Sequence, residues 1–127
     1  MSTVLSDPRK VLAIDDEEDI LGFLSTLLET RGFRVFTALT GTAGIELARR
    51  ERPAVILLDV MMPEVDGHQV CKRLKADPLT SKIPVLMLTV MNRIKDIALA
   101  MDEGADGFMA KPFDNDELLK EVRNLLK

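Results

Sequence analysis

Four apolar runs in this chain end in polar residues that buried strands rarely keep. Val11-Leu12-Ala13-Ile14 leads into Asp15-Asp16, and Ala54-Val55-Ile56-Leu57-Leu58 leads into Asp59. Pro84-Val85-Leu86-Met87-Leu88 leads into Thr89, and Phe108-Met109-Ala110 leads into Lys111-Pro112. If these runs are parallel strands, their ends converge on one edge of a sheet. That edge then holds three carboxylates, a hydroxyl and an ammonium, which is the composition of a site.

The segments between the runs carry helical patterns, and strand-helix alternation is the signature of a parallel sheet. Ile20, Phe23, Leu24, Leu27 and Leu28 recur at helical spacing over 17–31, with Gly32 just past the end. A second strand is expected over 33–39. A helix follows over 40–52, with Ala43, Ile45, Leu47 and Ala48 on or near its buried face and Pro53 ending it. The run over 54–59 is continuously apolar, as a strand covered on both faces should be. Further helices are predicted over 67–76, over 93–103 closed by Gly104, and from 115 onward with Leu118, Leu119, Val122, Leu125 and Leu126 on one face. The fold predicted is α/β: a doubly wound, flavodoxin-like five-stranded parallel sheet of order 2-1-3-4-5. In such sheets ligands bind outside the carboxyl ends of the strands, at the switch point between strands one and three. Asp15, Asp16 and Asp59 end those two strands.

With 127 residues the chain has room for one domain, read as a polar arm over 1–9 and a globular unit over 10–127. A net charge of −4 argues against a direct nucleic-acid surface. No apolar run approaches the roughly 18 residues of a membrane span, residues 1–9 hold no signal-like stretch, and Cys71 is the single cysteine. A cytoplasmic location is expected.

Three clustered carboxylates repel, by roughly 4 kcal/mol for two charges about 4 Å apart at an effective dielectric near 20. The cluster persists if a divalent cation joins it or if one carboxyl stays protonated. All the donors are oxygens, which points to a hard cation such as Mg2+ and away from zinc. A carboxylate beside Mg2+ and Lys111 suits nucleophilic attack on a phosphoryl group, whose oxygens the cations neutralise. Asp59, alone at the end of the central strand, is the best nucleophile, and Thr89 is placed to donate its hydroxyl.

These residues resemble a known family. Asp15-Asp16, Asp59 within Leu-Asp-Val-Met-Met-Pro-Glu-Val-Asp-Gly, Thr89 and Lys111-Pro112-Phe113 are similar to the receiver (CheY-like) domain of two-component response regulators, at that family's usual intervals. The resemblance implies a phosphorylation-dependent signalling switch rather than an enzyme. Asp59 would take its phosphoryl group from the phosphohistidine of a sensor histidine kinase or phosphotransfer protein. Asp16, Asp59 and the Met61 backbone carbonyl would ligate Mg2+, or Mn2+ in its place, with Asp15 acting through water. Lys111, joined to Pro112 by a cis bond, would contact a phosphoryl oxygen. Thr89 and Phe108 would form the switch pair. They would change the face made by the helix over 93–103, the fifth strand and the last helix, toward a downstream effector or fused output domain. A phosphorylation-linked dimer is open. The salt-bridged form common in the family is disfavoured by Asp106-Gly107 and by Ile97-Ala98-Leu99 where an Arg is frequent. Val90 stands where a very small residue is usual, which predicts a long-lived acyl phosphate.

Other readings compete. A receiver-fold interaction module that is never phosphorylated usually loses an acidic or lysine member, and none is lost here. An aspartyl phosphohydrolase needs a second Asp two residues on, where this chain has Met61. A flavin or nucleotide binder would be repelled by Asp16-Glu17-Glu18-Asp19. Among single residues, Asp15-Asp16 also suit a helix N-cap, and Asp66 reads as a turn or cap. His68 reads as a surface residue, Cys71 as buried, and the methionines (Met61, Met62, Met87, Met101, Met109) as mostly core filling.

Overall fold

A computed structural model of the chain describes residues 7, 9–62, 66–89, 101–102 and 104–126. Strands β1 (Lys10–Ile14), β2 (Arg34–Ala38), β3 (Val55–Asp59), β4 (Val85–Thr89) and β5 (Gly107–Ala110) form one parallel sheet in the order β2-β1-β3-β4-β5. Helices α1 (Glu18–Glu29), α2 (Gly41–Glu51), α3 (Gly67–Ala76) and α4 (Asn115–Leu125) connect and cover it. Most of the helix expected over 93–103 lies outside the described residues, as do Val90 and Ile97-Ala98-Leu99; Met101 and Asp102 are helical.

Alternation along the strands builds two cores. Leu12, Ile14, Ile56, Leu58, Val85 and Met87 face one way and meet Ala48 of α2 and Val70, Cys71 and Leu74 of α3. Val11, Ala13, Val55, Leu57, Leu86 and Leu88 face the other way, against Leu21, Leu24 and Leu28 of α1 and Leu118, Leu119 and Val122 of α4. Every residue of β3 is buried, which is why its sequence shows no polar alternation.

Three of the helix starts, those of α2, α3 and α4, are capped by short side chains. Thr40 Oγ1 accepts from Ala43 N at 3.1 Å, Asp66 Oδ1 from Gln69 N at 3.0 Å, and Asp114 Oδ1 from Asp116 N at 2.8 Å. Gly32 and Gly104 take φ of 92° and 93°, the left-handed turn that ends a helix most cheaply at glycine. Arg52 holds the same kind of position at the end of α2, with φ 48° and ψ 58°. A Cβ in that region costs about 1–2 kcal/mol, part of which glycine's extra chain entropy offsets. Arg52→Gly is therefore expected to raise stability by roughly 0.5–1 kcal/mol, read as a higher urea midpoint at unchanged slope.

Four sequence expectations need correction. Phe23 is 46% exposed and meets Phe113 in a tilted contact with ring centroids 6.2 Å apart, because the buried stripe of α1 runs through Leu21, Leu24 and Leu28. Ala43 is exposed, and the sheet-facing positions of α2 are Gly41, Gly44 and Ala48. The helix lies so close to β1 that a Cβ on Gly44 would stand 2.7 Å from Ile14 Cγ1. His68 is buried in the first turn of α3 rather than at the surface. Met62 and Met87 fill the core as expected, but Met61 and Met101 are exposed.

Candidate phosphoacceptor site

Register puts the polar residues at one sheet edge. Ile14 pairs with Leu58, Asp59 with Leu88, and Thr89 with Ala110. Asp15 and Asp16 thus follow β1, Asp59 and Thr89 close β3 and β4, and Lys111 stands one residue beyond β5. The Lys111 amide donates to the Thr89 carbonyl at 2.6 Å, which carries the pairing one step past the strand. The Lys111–Pro112 bond is cis.

At this edge Asp15, Asp59 and Thr89 are buried and Asp16 is exposed. The Lys111 ammonium donates to Asp15 Oδ2 at 2.8 Å and to Asp59 Oδ1 at 3.1 Å. The other oxygen of Asp15, Oδ1, accepts from Glu17 N at 2.9 Å, so this carboxylate also orders the approach to α1. Glu17, the N-cap, makes no side-chain capping bond itself. Carboxylate oxygens of Asp15, Asp16 and Asp59 all lie within 4.8 Å of one another.

One ammonium between two buried carboxylates leaves negative charge uncompensated. Burial, and then the Asp15 charge, push the Asp59 carboxyl up to about 6 against the pull of Lys111. Burial draws the Lys111 ammonium down, but the Asp15 hydrogen bond and the Asp59 charge outweigh it and raise its pKa. A further cation, or a proton on Asp59, relieves this repulsion. An all-oxygen, partly open carboxylate set of this size suits a hard divalent ion that keeps some of its water.

Phe108 is half-buried on β5, paired with Met87, packed against the α2–α3 core and beside a groove with Met109, Glu117, Lys120 and Glu121. The Met61 side chain is 55% exposed on the loop after Asp59. Asp106 accepts from Val85 N and from Lys75 Nζ, each at 2.9 Å, so its carboxylate is engaged within the chain. Sequence reasoning missed the part played by Gly67. Its amide donates to the Val60 carbonyl at 2.9 Å, and a Cβ there would run into the Asp59 and Val60 backbone. The Asp-Gly pair signalled a turn but not this close approach.

A doubly wound parallel sheet with an acid cluster and a lysine at its switch point defines the class of flavodoxin-like α/β domains with a charged site at the strand ends. The profile of the response regulator receiver domain matches residues 11–123, and the chain belongs to that family. It is 45% identical over 118 residues to the DNA-binding dual master transcriptional regulator RpaA of Synechocystis sp., covering 93% of this chain and 49% of that protein. It is 40% identical to the alkaline phosphatase synthesis transcriptional regulatory protein PhoP of Bacillus subtilis, covering 94% and 49% respectively. The chain thus spans about half the length of these curated relatives. Among solved structures, the chemotaxis protein CheY4 of Vibrio cholerae superposes with a TM-score of 0.87 at 33% identity, covering 91% of this chain and 97% of that one. This is a two-component receiver domain, a signalling domain rather than a classical enzyme. No helix among the described residues is long and apolar enough to cross a membrane.

Proposed function

We propose that the chain is a phosphorylation switch whose acceptor is Asp59. The observation that carries this reading is the Lys111 ammonium, held between Asp15 and Asp59 at the end of the central strand. In the proposed step an Asp59 carboxylate oxygen attacks the phosphorus of a phosphohistidine on a sensor kinase or phosphotransfer protein. The P–N bond breaks, its electron pair returns to the imidazole, and an acyl phosphate remains on Asp59. Lys111 stabilises one phosphoryl oxygen, and the Thr89 hydroxyl donates to another. Asp15, Asp16, Asp59 and the Met61 carbonyl form the candidate Mg2+ site, and Mn2+ has the same oxygen preference. When bound, the ion neutralises phosphoryl charge.

Thr89 and Phe108 are the proposed switch pair. Moving Thr89 toward the phosphoryl group lets the Phe108 ring settle further into the core it already touches, and the β5–α4 surface changes for an effector or fused output domain. The unit is taken as 10–127 with an arm over 1–9, working in the cytoplasm. DNA recognition, a property of RpaA by its name, would belong to an output domain of a longer protein.

The test is incubation with Mg2+ and acetyl phosphate, followed by intact mass. One added phosphoryl group is expected, absent in chelator and in Asp59→Asn. A kinase phosphohistidine serves as second donor. Labelling that persists in Asp59→Asn overturns the acceptor. Failure with both donors favours a receiver-fold interaction module that is not phosphorylated.

A further inference from the structure

The sheet edge opposite the site carries an open groove of about 450 Å3. It lies where the chain enters β3 and β4, beside the end of α4. Its lining is mixed: Leu79 and Leu126, with the largely buried Pro53 and Ile83 beneath, supply apolar surface, and Arg52 and Lys82 supply charge. Both cations are exposed, and neither pairs with a carboxylate among the described residues. The neighbouring acids are already committed. Glu51 holds Lys10 and Arg50 at 3.3 and 3.1 Å, and Asp77 holds Arg49 at 3.0 Å and accepts from Leu79 N at 2.9 Å. Among the described residues the groove therefore combines two uncompensated cations with apolar surface, in a chain of net charge −4.

Arg52 adds an independent sign. It keeps a left-handed backbone that favours glycine, at a position whose guanidinium spends one N–H on the Arg49 carbonyl at 3.2 Å and leaves the rest uncommitted among the described residues. Strain retained at a groove is a reason to look for function there.

We propose that this groove docks an acidic, leucine-bearing peptide segment of a partner protein. The apolar surface receives the leucine side chain and the two cations receive the flanking carboxylates. A nucleic-acid backbone would have no use for the apolar surface. A small organic acid would stay too exposed, since small-ligand sites enclose most of their ligand. Rim charges of this kind are screened by salt, so binding weakens as ionic strength rises.

The experiment titrates the chain with the capped peptide Asp-Leu-Glu-Leu-Glu and follows backbone amide shifts. Saturable shifts at Arg52, Leu79, Lys82 and Ile83, at peptide concentrations up to about 1 mM, support the proposal. They should weaken about fivefold in Arg52→Gly, a variant expected to be more stable than the parent, and again in Lys82→Ala. Equal binding of Lys-Leu-Lys-Leu-Lys, absence of saturable shifts, or binding undiminished in both variants overturns it. So does hexanoate or a short DNA duplex moving the same amides at equal or lower concentration. If dilution of the protein alone moves them, the occupant is a second copy and the peptide proposal fails.

Discussion

Asp59→Asn is expected to stabilise the metal-free protein at pH 7 by on the order of 3 kcal/mol, while removing its capacity to take up phosphate. The reason lies in the carboxyl held at about 6 by burial and by the Asp15 charge, against 3.8 for an ordinary aspartate. A folded-state value above the unfolded one means that the folded chain binds more protons. Wild-type stability in chelator should therefore fall as pH rises from about 4 to about 6, and stay low above that range. In Asp59→Asn this slope should largely vanish. Lys111 has the same sign in a different window: its raised pKa contributes stability that is present below its unfolded value and lost only as the pH climbs through the folded one, far above this range.

Thermal melts in chelator across this range check both statements. At about 4 °C per kcal/mol, the variant should melt roughly 10 °C above the parent at pH 7. Adding Mg2+ should raise the parent and close most of the gap, because an ion that binds only the folded cluster stabilises it by mass action. A parent melt unmoved by millimolar Mg2+ would remove the cluster as a metal site.

Gly67→Ala should cost about 3 kcal/mol, the upper end of what overpacking does. The added Cβ meets the Asp59 carbonyl oxygen, stands 2.7 Å from Val60 Cα and 3.0 Å from the Asp59 carbonyl carbon. All three are backbone atoms of the strand end that carries Asp59, so no side chain can rotate away. The start of α3 must shift or β3 must bend, and the Asp59 geometry suffers in either case. Denaturant unfolding gives the stability loss, and the acetyl phosphate assay should show a slower labelling rate in the fraction that stays folded. Gly22→Ala is the matched control. Gly22 lies exposed within α1 with nothing inside 4 Å of the added carbon, so helix propensity alone acts and should add roughly 0.5–1 kcal/mol. One substitution, at two glycines, should change sign.

Much of this molecule was legible in one dimension because its signals are local. The polar residues ending four apolar runs located the strand ends, and alternating helical patterns fixed a parallel sheet of order 2-1-3-4-5, with β3 marked as central by its unbroken apolar run. A strand's last residue is placed by hydrogen-bond register, so a carboxylate that follows a buried run must emerge at the sheet edge. Burial within the helices was less legible. Phe23 fits the periodic stripe of α1 yet turns out toward Phe113, and Ala43 fits that of α2 yet yields its place to Gly44. Periodicity gives a face about 100° wide and does not say which way that face is rotated.

By itself the sequence determined the set of polar groups at the site: which residues carry charge, and that Asp15, Asp16, Asp59, Thr89 and Lys111 share an edge. Only the tertiary structure decided how their charges balance. The single Lys111 ammonium lies between Asp15 and Asp59 and leaves the cluster short of positive charge, and burial sets how much that shortage costs. Such a balance depends on distances of a few ångströms and on desolvation, which spacing along a chain does not encode. The same holds at the opposite edge, where Arg52 and Lys82 line one groove because the strands they lead into, β3 and β4, pair side by side.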